Sequence, residues 1–193
     1  MRLLIFDTET TGFLAKSSAP LSAQPELVEF AGAIVETDSP LARVETLEFR
    51  CRTRRALRPE IEQLLGLKDY ELNGEKAFRW HYLAFARFLG SADAWCAHNL
   101  RFDANIVGYA VKRLGRAYVE STCWPGVDIC TLRLSRALFA RGPHRLRDLH
   151  YRLGCPPKVQ SHRAMADVEM LLDIVRVLLE QGKFPLKGNY AAA

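Results

Sequence analysis

Residues 2–9, Arg-Leu-Leu-Ile-Phe-Asp-Thr-Glu, set the tightest limit on what this chain can fold into. In an extended segment Leu3 and Ile5 leave one face while Leu4 and Phe6 leave the other, so both faces are apolar and both need covering. A strand of that kind belongs in the middle of a sheet with a layer packed on each side. The same strand then carries Asp7 and Glu9, two residues apart and therefore on the Leu3/Ile5 face, at its C-terminal end. Thr10-Thr11-Gly12 ends it.

Residues 14–25 read as an extended loop, and strand-like runs follow at Leu27–Val35 and Val44–Cys51, separated by Asp38-Ser39-Pro40. These predict an antiparallel three-strand start. Pro59 opens a short helix to Leu65, and Phe78, Tyr82, Phe85 and Leu89 predict a helix over 77–89 before a short strand at Ala94–Ala97. Further helices are expected over 101–114, 128–139, 145–153 and 163–181, with breaks at Gly115, Gly142-Pro143 and Gly154 to Pro157. Strands first and then mixed helices and strands predict an α/β chain with one mixed sheet and helices packed on it. With 193 residues, 49% of them hydrophobic, the chain can bury one substantial core. We expect one domain over residues 1–182, followed by a tail over 183–193.

Two more acids stand where apolar groups belong. Asp103 shares a helical stripe with Ile106, Val107 and Ala110, behind Asn99 as a candidate N-cap. Asp167 lies four residues before Leu171, on the edge of the stripe formed by Val168, Leu171, Leu172 and Val175. An unpaired carboxylate there costs several kcal/mol or takes up a proton, whereas shared divalent cations remove that penalty. His162, five residues earlier, can reach the same pocket. By contrast, Asp128 reads as an N-cap, and Asp148 and Asp173 as exposed surface charges.

A net charge of +5 around an acidic pocket suits a polyanionic substrate, although a solvated basic surface gives the same balance. The Arg-rich segments 50–58 and 133–147 carry the same two readings. Five cysteines without a C-x-x-C pair argue against a disulfide framework or a structural zinc site. Asp7 and Glu9 end the first apolar run too early for a signal peptide, and no uncharged 18-residue stretch occurs. A cytoplasmic protein without a membrane partner is expected.

Asp7-x-Glu9-Thr10-Thr11-Gly12, His98-Asn99-x-x-Phe102-Asp103 and His162-x-Ala164-x-x-Asp167 together resemble the three exonuclease motifs of the DEDDh group of the DnaQ-like superfamily. The resemblance runs from about residue 2 to 180 and includes Pro25–Phe30 and His144-Arg145-Leu146. It implies a ribonuclease H-like fold, a mixed five-stranded sheet whose first three strands are antiparallel, flanked by helices. It also implies metal-dependent 3′→5′ exonuclease activity, releasing nucleoside 5′-monophosphates. In that comparison Asp7, Glu9, Asp103 and Asp167 are the ligands of two divalent metal ions, Mg²⁺ or Mn²⁺, and His162 is the general base. Thr10, Thr11, His98 and Asn99 become substrate contacts, with Phe13 and Phe102 as stacking or wedge residues. The implied partner is nucleic acid with a free 3′ end, DNA ahead of RNA, with a DNA polymerase as a second candidate. An RNA-trimming exoribonuclease and a non-catalytic nucleic-acid- or polymerase-binding domain of the same fold are the alternatives, and oligomeric state stays open.

Overall fold

The structure, a computed structural model, describes residues 1–38, 41–158 and 163–185. The double-faced segment is β1 (Arg2–Thr10), paired antiparallel with β2 (Leu27–Glu36), which pairs antiparallel with β3 (Ala42–Arg50). On its other side β1 runs parallel to β4 (Ala94–Ala97), and β4 runs parallel to β5 (Val127–Cys130). The order β3-β2-β1-β4-β5 puts β1 at the centre of a mixed five-stranded sheet.

Its two faces supply two cores. Leu3 and Ile5 join a cluster with Val168, Leu171 and Val175 of α7 (Ala164–Glu180), and with Leu146 and Leu149 of α6 (Leu146–Arg152). Leu4 and Phe6 join another with Phe85 and Phe88 of α2 (Phe78–Gly90), and with Ile106 and Val107 of α3 (Leu100–Lys112). Phe6 stacks on Trp95 at 5.5 Å between ring centroids, and Phe30 meets Phe85 edge-on at 5.2 Å. Burying a side chain of this size is worth about 1.5–3 kcal/mol. Gly32 lets α2 approach β2 closely, since a Cβ there would stand 2.9 Å from Phe88. The remaining helices are α1 (Pro59–Leu65), α4 (Arg116–Ser121) and α5 (Thr131–Leu138), with 3₁₀ turns at Leu21–Ala23 and Asp69–Gly74.

The expected helix over 128–139 is a strand followed by a helix. Val127 and Ile129 alternate against the open edge of β4, and the helix starts only at Thr131. In a four-residue run, the offered hydrogen-bonding edge decides between strand and helix. Asp128 therefore caps nothing, and its carboxylate instead accepts the Trp95 indole N–H. The expectation for Asp173 also fails. It is 7% exposed, because α6 covers the face of α7 that the apolar stripe left to solvent. Asp173 there meets His150, Lys158 and Arg176. Asp148, expected to be exposed, is half-buried in the first turn of α6, where it accepts the Arg145 backbone N–H.

Candidate active site

Asp7 and Glu9 leave the C-terminal end of β1 on the α7 side, and Asp167 comes from the first turn of α7. One carboxylate oxygen from each of the three lies within 4.8 Å of the others. Asp103, 3% exposed at the first turn of α3, stands outside that triplet and arrives from the other helical layer. Its Oδ1 accepts the Thr8 hydroxyl at 2.6 Å and the Thr8 backbone N–H at 3.1 Å. The two helical layers thus each bring one acid to a strand that carries two.

The electrostatics of this group are unfavourable as it stands. Burial first, and then Asp103, Glu9 and Asp167, push the Asp7 carboxyl well above the usual range. Glu9 rises to about 8 through burial and the charges of Asp167 and Glu29, opposed by Arg163. Asp103 rises to about 7 through burial, held down by its bonds from Thr8. Converging, desolvated carboxylates offering oxygen ligands suit a hard divalent cation such as Mg²⁺ or Mn²⁺, which would bring positive charge among them.

Asp7 and Asp167 open on a cleft of about 600 Å³ that is also lined by His98, Asn99, Arg136 and Arg145. Arg136 and Arg145 give an acidic floor a basic rim. His98 braces the cleft: Nε2 donates to the His144 carbonyl at 2.8 Å, which leaves Nδ1 to accept from Thr131 Oγ1 at 3.0 Å. Burial pushes its imidazole down to about 4, so it is neutral near pH 7. Asn99 stands at the N-cap position of α3 with φ 73° and makes no side-chain cap, so its left-handed backbone is what turns β4 into the helix.

The turn after Glu9 is bonded within the protein through three of its donors. The Thr10 hydroxyl donates to the Gly12 carbonyl at 2.6 Å, while the Gly12 N–H points back at Thr10 Oγ1. Thr11 donates its N–H to the Glu26 carbonyl at 3.0 Å and accepts the Glu26 N–H on Oγ1. A substrate contact through these groups would exchange one of those bonds. Gly12 takes φ +152°, a backbone that favours glycine. Phe13 projects with 83% of its surface exposed, whereas Phe102 packs against the α2/α3 core. His162 lies outside the described residues.

Glu29 is the residue that sequence reasoning passed over. It is the cross-strand partner of Glu9, and at 2% exposure it binds Arg50 Nε at 3.2 Å and Arg163 Nε at 3.1 Å. It also accepts the Ala164 N–H at 3.2 Å, so a strand residue caps the helix that delivers Asp167. The signal was available, since Glu29 interrupts the apolar run Leu27-Val28-Glu29-Phe30.

A mixed sheet in this order, with helices on both faces and acids at the end of its central strand, is a ribonuclease H-like arrangement. A profile described as an exonuclease, RNase_T, matches residues 4–175, and the chain belongs to that family. This bears out the resemblance read from the three motifs. A structure described as exonuclease X in complex with 5′-overhanging duplex DNA aligns with TM-score 0.65 at 20% identity, covering 93% of each chain. The nuclease domain of 3′hExo, described as a DEDDh family member bound to rAMP, aligns at TM-score 0.73 and 14% identity over 95% of this chain and 94% of that one. A 3′-exonuclease described with a histone mRNA stem-loop aligns at 0.73 and 12% identity, over 95% of this chain and 65% of that one. No curated protein matched in sequence.

Proposed function

We propose that the chain is a 3′→5′ exonuclease acting on nucleic acid with a free 3′ end. The observation that carries this reading is the approach of Asp7, Glu9 and Asp167 within 4.8 Å in a chain of the exonuclease family. Asp7, Glu9, Asp103 and Asp167 would hold two divalent ions, Mg²⁺ or Mn²⁺, with Asp103 fixed to the central strand by Thr8. Once bound, the ions supply charge neutralisation at the reacting phosphate and lower the pKa of water. Arg136 and Arg145 on the rim hold non-bridging phosphate oxygens. His162 takes the proton from the attacking water, a role assigned on its motif alone. Water adds to phosphorus, the bond from phosphorus to the 3′ oxygen breaks, and a nucleoside 5′-monophosphate leaves a chain one unit shorter. Phe13, exposed and four residues past Glu9, would stack on or wedge the terminal base.

The substrate panel that tests this is single-stranded DNA, duplex DNA with matched and mismatched 3′ ends, and RNA, each labelled at either end and incubated with Mg²⁺ or Mn²⁺. Stepwise release of a 3′ label as mononucleotide is expected, and D7A or D167A should abolish it. Metal-dependent digestion that persists undiminished in either variant would remove the assignment. H162A should slow turnover while metal binding survives. The polymerase partner expected from the sequence gains no support from the comparisons, and nucleic acid is the partner we retain.

A further inference from the structure

Between the start of α2, the segment after β3 and the C-terminal end of α3 lies a second cavity, of about 360 Å³. Four arginines line it, Arg52, Arg54, Arg79 and Arg113, with one acid, Glu26. None of the four forms an ion pair among the described residues, whereas Arg50, Arg58 and Arg163 nearby in the chain or the fold are paired. Glu26 accepts the Arg54 backbone N–H at 2.6 Å and acts on Arg113, so one negative charge stands against four positive ones.

Arg113 is built into the cavity. Its Nη2 is held by the carbonyls of Leu21, Gln24 and Pro25 at 2.8–3.1 Å, while Nη1 is buried and without a hydrogen-bond partner among the described residues. A buried donor left unmade costs about 1–3 kcal/mol, so a fixed guanidinium with an unused N–H is a standing demand for an acceptor. The N-terminus of α2 opens on the same space, and Ala77 gives it no side-chain cap, so the helix dipole adds to the positive field. Trp80 lines the cavity with 74% of its surface exposed and offers a π-face beside the charges.

We propose that this cavity binds a nucleotide phosphate, with the attached base on Trp80, and that it anchors the body of a polynucleotide whose 3′ end lies at the acidic pocket. The anchoring half of this inference rests on the function proposed above. The two sites are physically joined. Glu26 on the cavity wall is bonded at both its backbone N–H and its carbonyl to Thr11, two residues past Glu9. Arg113 lies ten residues beyond Asp103 on and just past α3, about 15 Å along the axis. That is about four to five nucleotides at the 3.4 Å rise of one strand in duplex DNA. A dinucleotide is too short to fill both sites and a 12-mer is long enough.

The test measures binding by fluorescence anisotropy in EDTA, where the probe stays intact, using a labelled 12-mer of DNA and labelled AMP, with the unaltered chain, R52Q/R79Q, R52K/R79K and W80A. With Mg²⁺, hydrolysis of a dinucleotide and of the 12-mer is followed in parallel. R52Q/R79Q is expected to bind the 12-mer about tenfold more weakly, with a salt slope shallower by about 1.4 for two lost single-strand phosphate contacts. The Lys pair should restore most of the slope, and W80A should weaken binding while the slope stays. Dinucleotide turnover should be unchanged, and KM for the 12-mer should rise. Loss of AMP binding with 12-mer binding intact would keep the site and make a free nucleotide its ligand. Unchanged affinity and slope for both probes would overturn the proposal. An unaltered chain that binds the 12-mer through these arginines yet digests nothing would overturn the exonuclease reading and leave the site standing.

Discussion

Thr8 holds Asp103 twice, through its hydroxyl at 2.6 Å and its backbone N–H at 3.1 Å, across 95 residues of chain. This fixes the acid that arrives with α3 onto the strand that carries Asp7 and Glu9. T8V keeps the shape and removes the hydroxyl. Hydrogen bonds to charged groups contribute about 1.5–3 kcal/mol, and urea unfolding of T8V should show a loss of that size, with T8S close to the unaltered chain. A loss below about 0.5 kcal/mol would mean the bond contributes nothing net.

Glu29 secures the opposite layer. E29Q should weaken its bonds to Arg50, Arg163 and the Ala164 N–H together, leaving two guanidiniums facing an amide. We expect at least about 2 kcal/mol of lost stability, and a fall in metal affinity by calorimetry that E29D partly rescues. Equal metal affinity in E29Q and the unaltered chain would confine Glu29 to folding.

The raised acids make a pH prediction for the metal-free chain. Glu9 goes from an ordinary 4.5 to about 8 on folding, and Asp7 moves in the same direction, so the folded state binds more protons than the unfolded state between those values. Stability in EDTA should therefore fall as pH rises from about 4.5 to 8. Because ion binding needs the deprotonated acids, the increase in Tm on adding Mn²⁺ should be larger at pH 8 than at pH 5.5. E9Q should flatten the decline in EDTA. A Tm that rises steadily over that interval in EDTA would contradict the placement of these acids.

Asp173 offers a test away from the pocket. Its carboxylate meets Lys158 at 2.5 Å, Arg176 at 3.0 Å and His150 at 3.3 Å. Burial alone would raise its pKa, but the bonds from Lys158 and His150 hold it below the ordinary carboxylate value. An acid held low stabilises the fold above its unfolded pKa and loses that contribution as pH falls through the folded one. D173N should then destabilise the chain at pH 7 by about 1–3 kcal/mol, and the difference from the unaltered chain should shrink towards pH 3.

The central strand and the four acids were legible in the sequence because each broke a local rule, either apolar groups on both faces or a charge on an apolar stripe. What stayed hidden depended on neighbours distant in sequence. Val127–Cys130 is a strand because β4 offers it an edge, and no pattern within four residues records that edge. Asp173 lies under α6, a layer that the periodicity of α7 does not announce. Glu29 broke the same rule as the four acids, but a strand acid whose partners are Arg50 and Arg163 is recognisable only when all three are in place. The Thr10-Thr11-Gly12 turn shows the converse. Expected to meet substrate, it has its Thr10 hydroxyl and its Thr11 and Gly12 N–H groups bonded within the protein.

The two cores on either side of β1 have a consequence for when the chain can act. Asp167 arrives only when α7 has docked on the Leu3/Ile5 face, and Asp103 only when α3 has docked on the Leu4/Phe6 face. A chain with either layer detached lacks one of the four acids, so under the proposed function a half-assembled or locally opened molecule would be a disarmed one. For an enzyme whose substrate is nucleic acid, that couples hazard to completeness. The acidic centre is complete only while both layers are docked, and detaching either one takes an acid away.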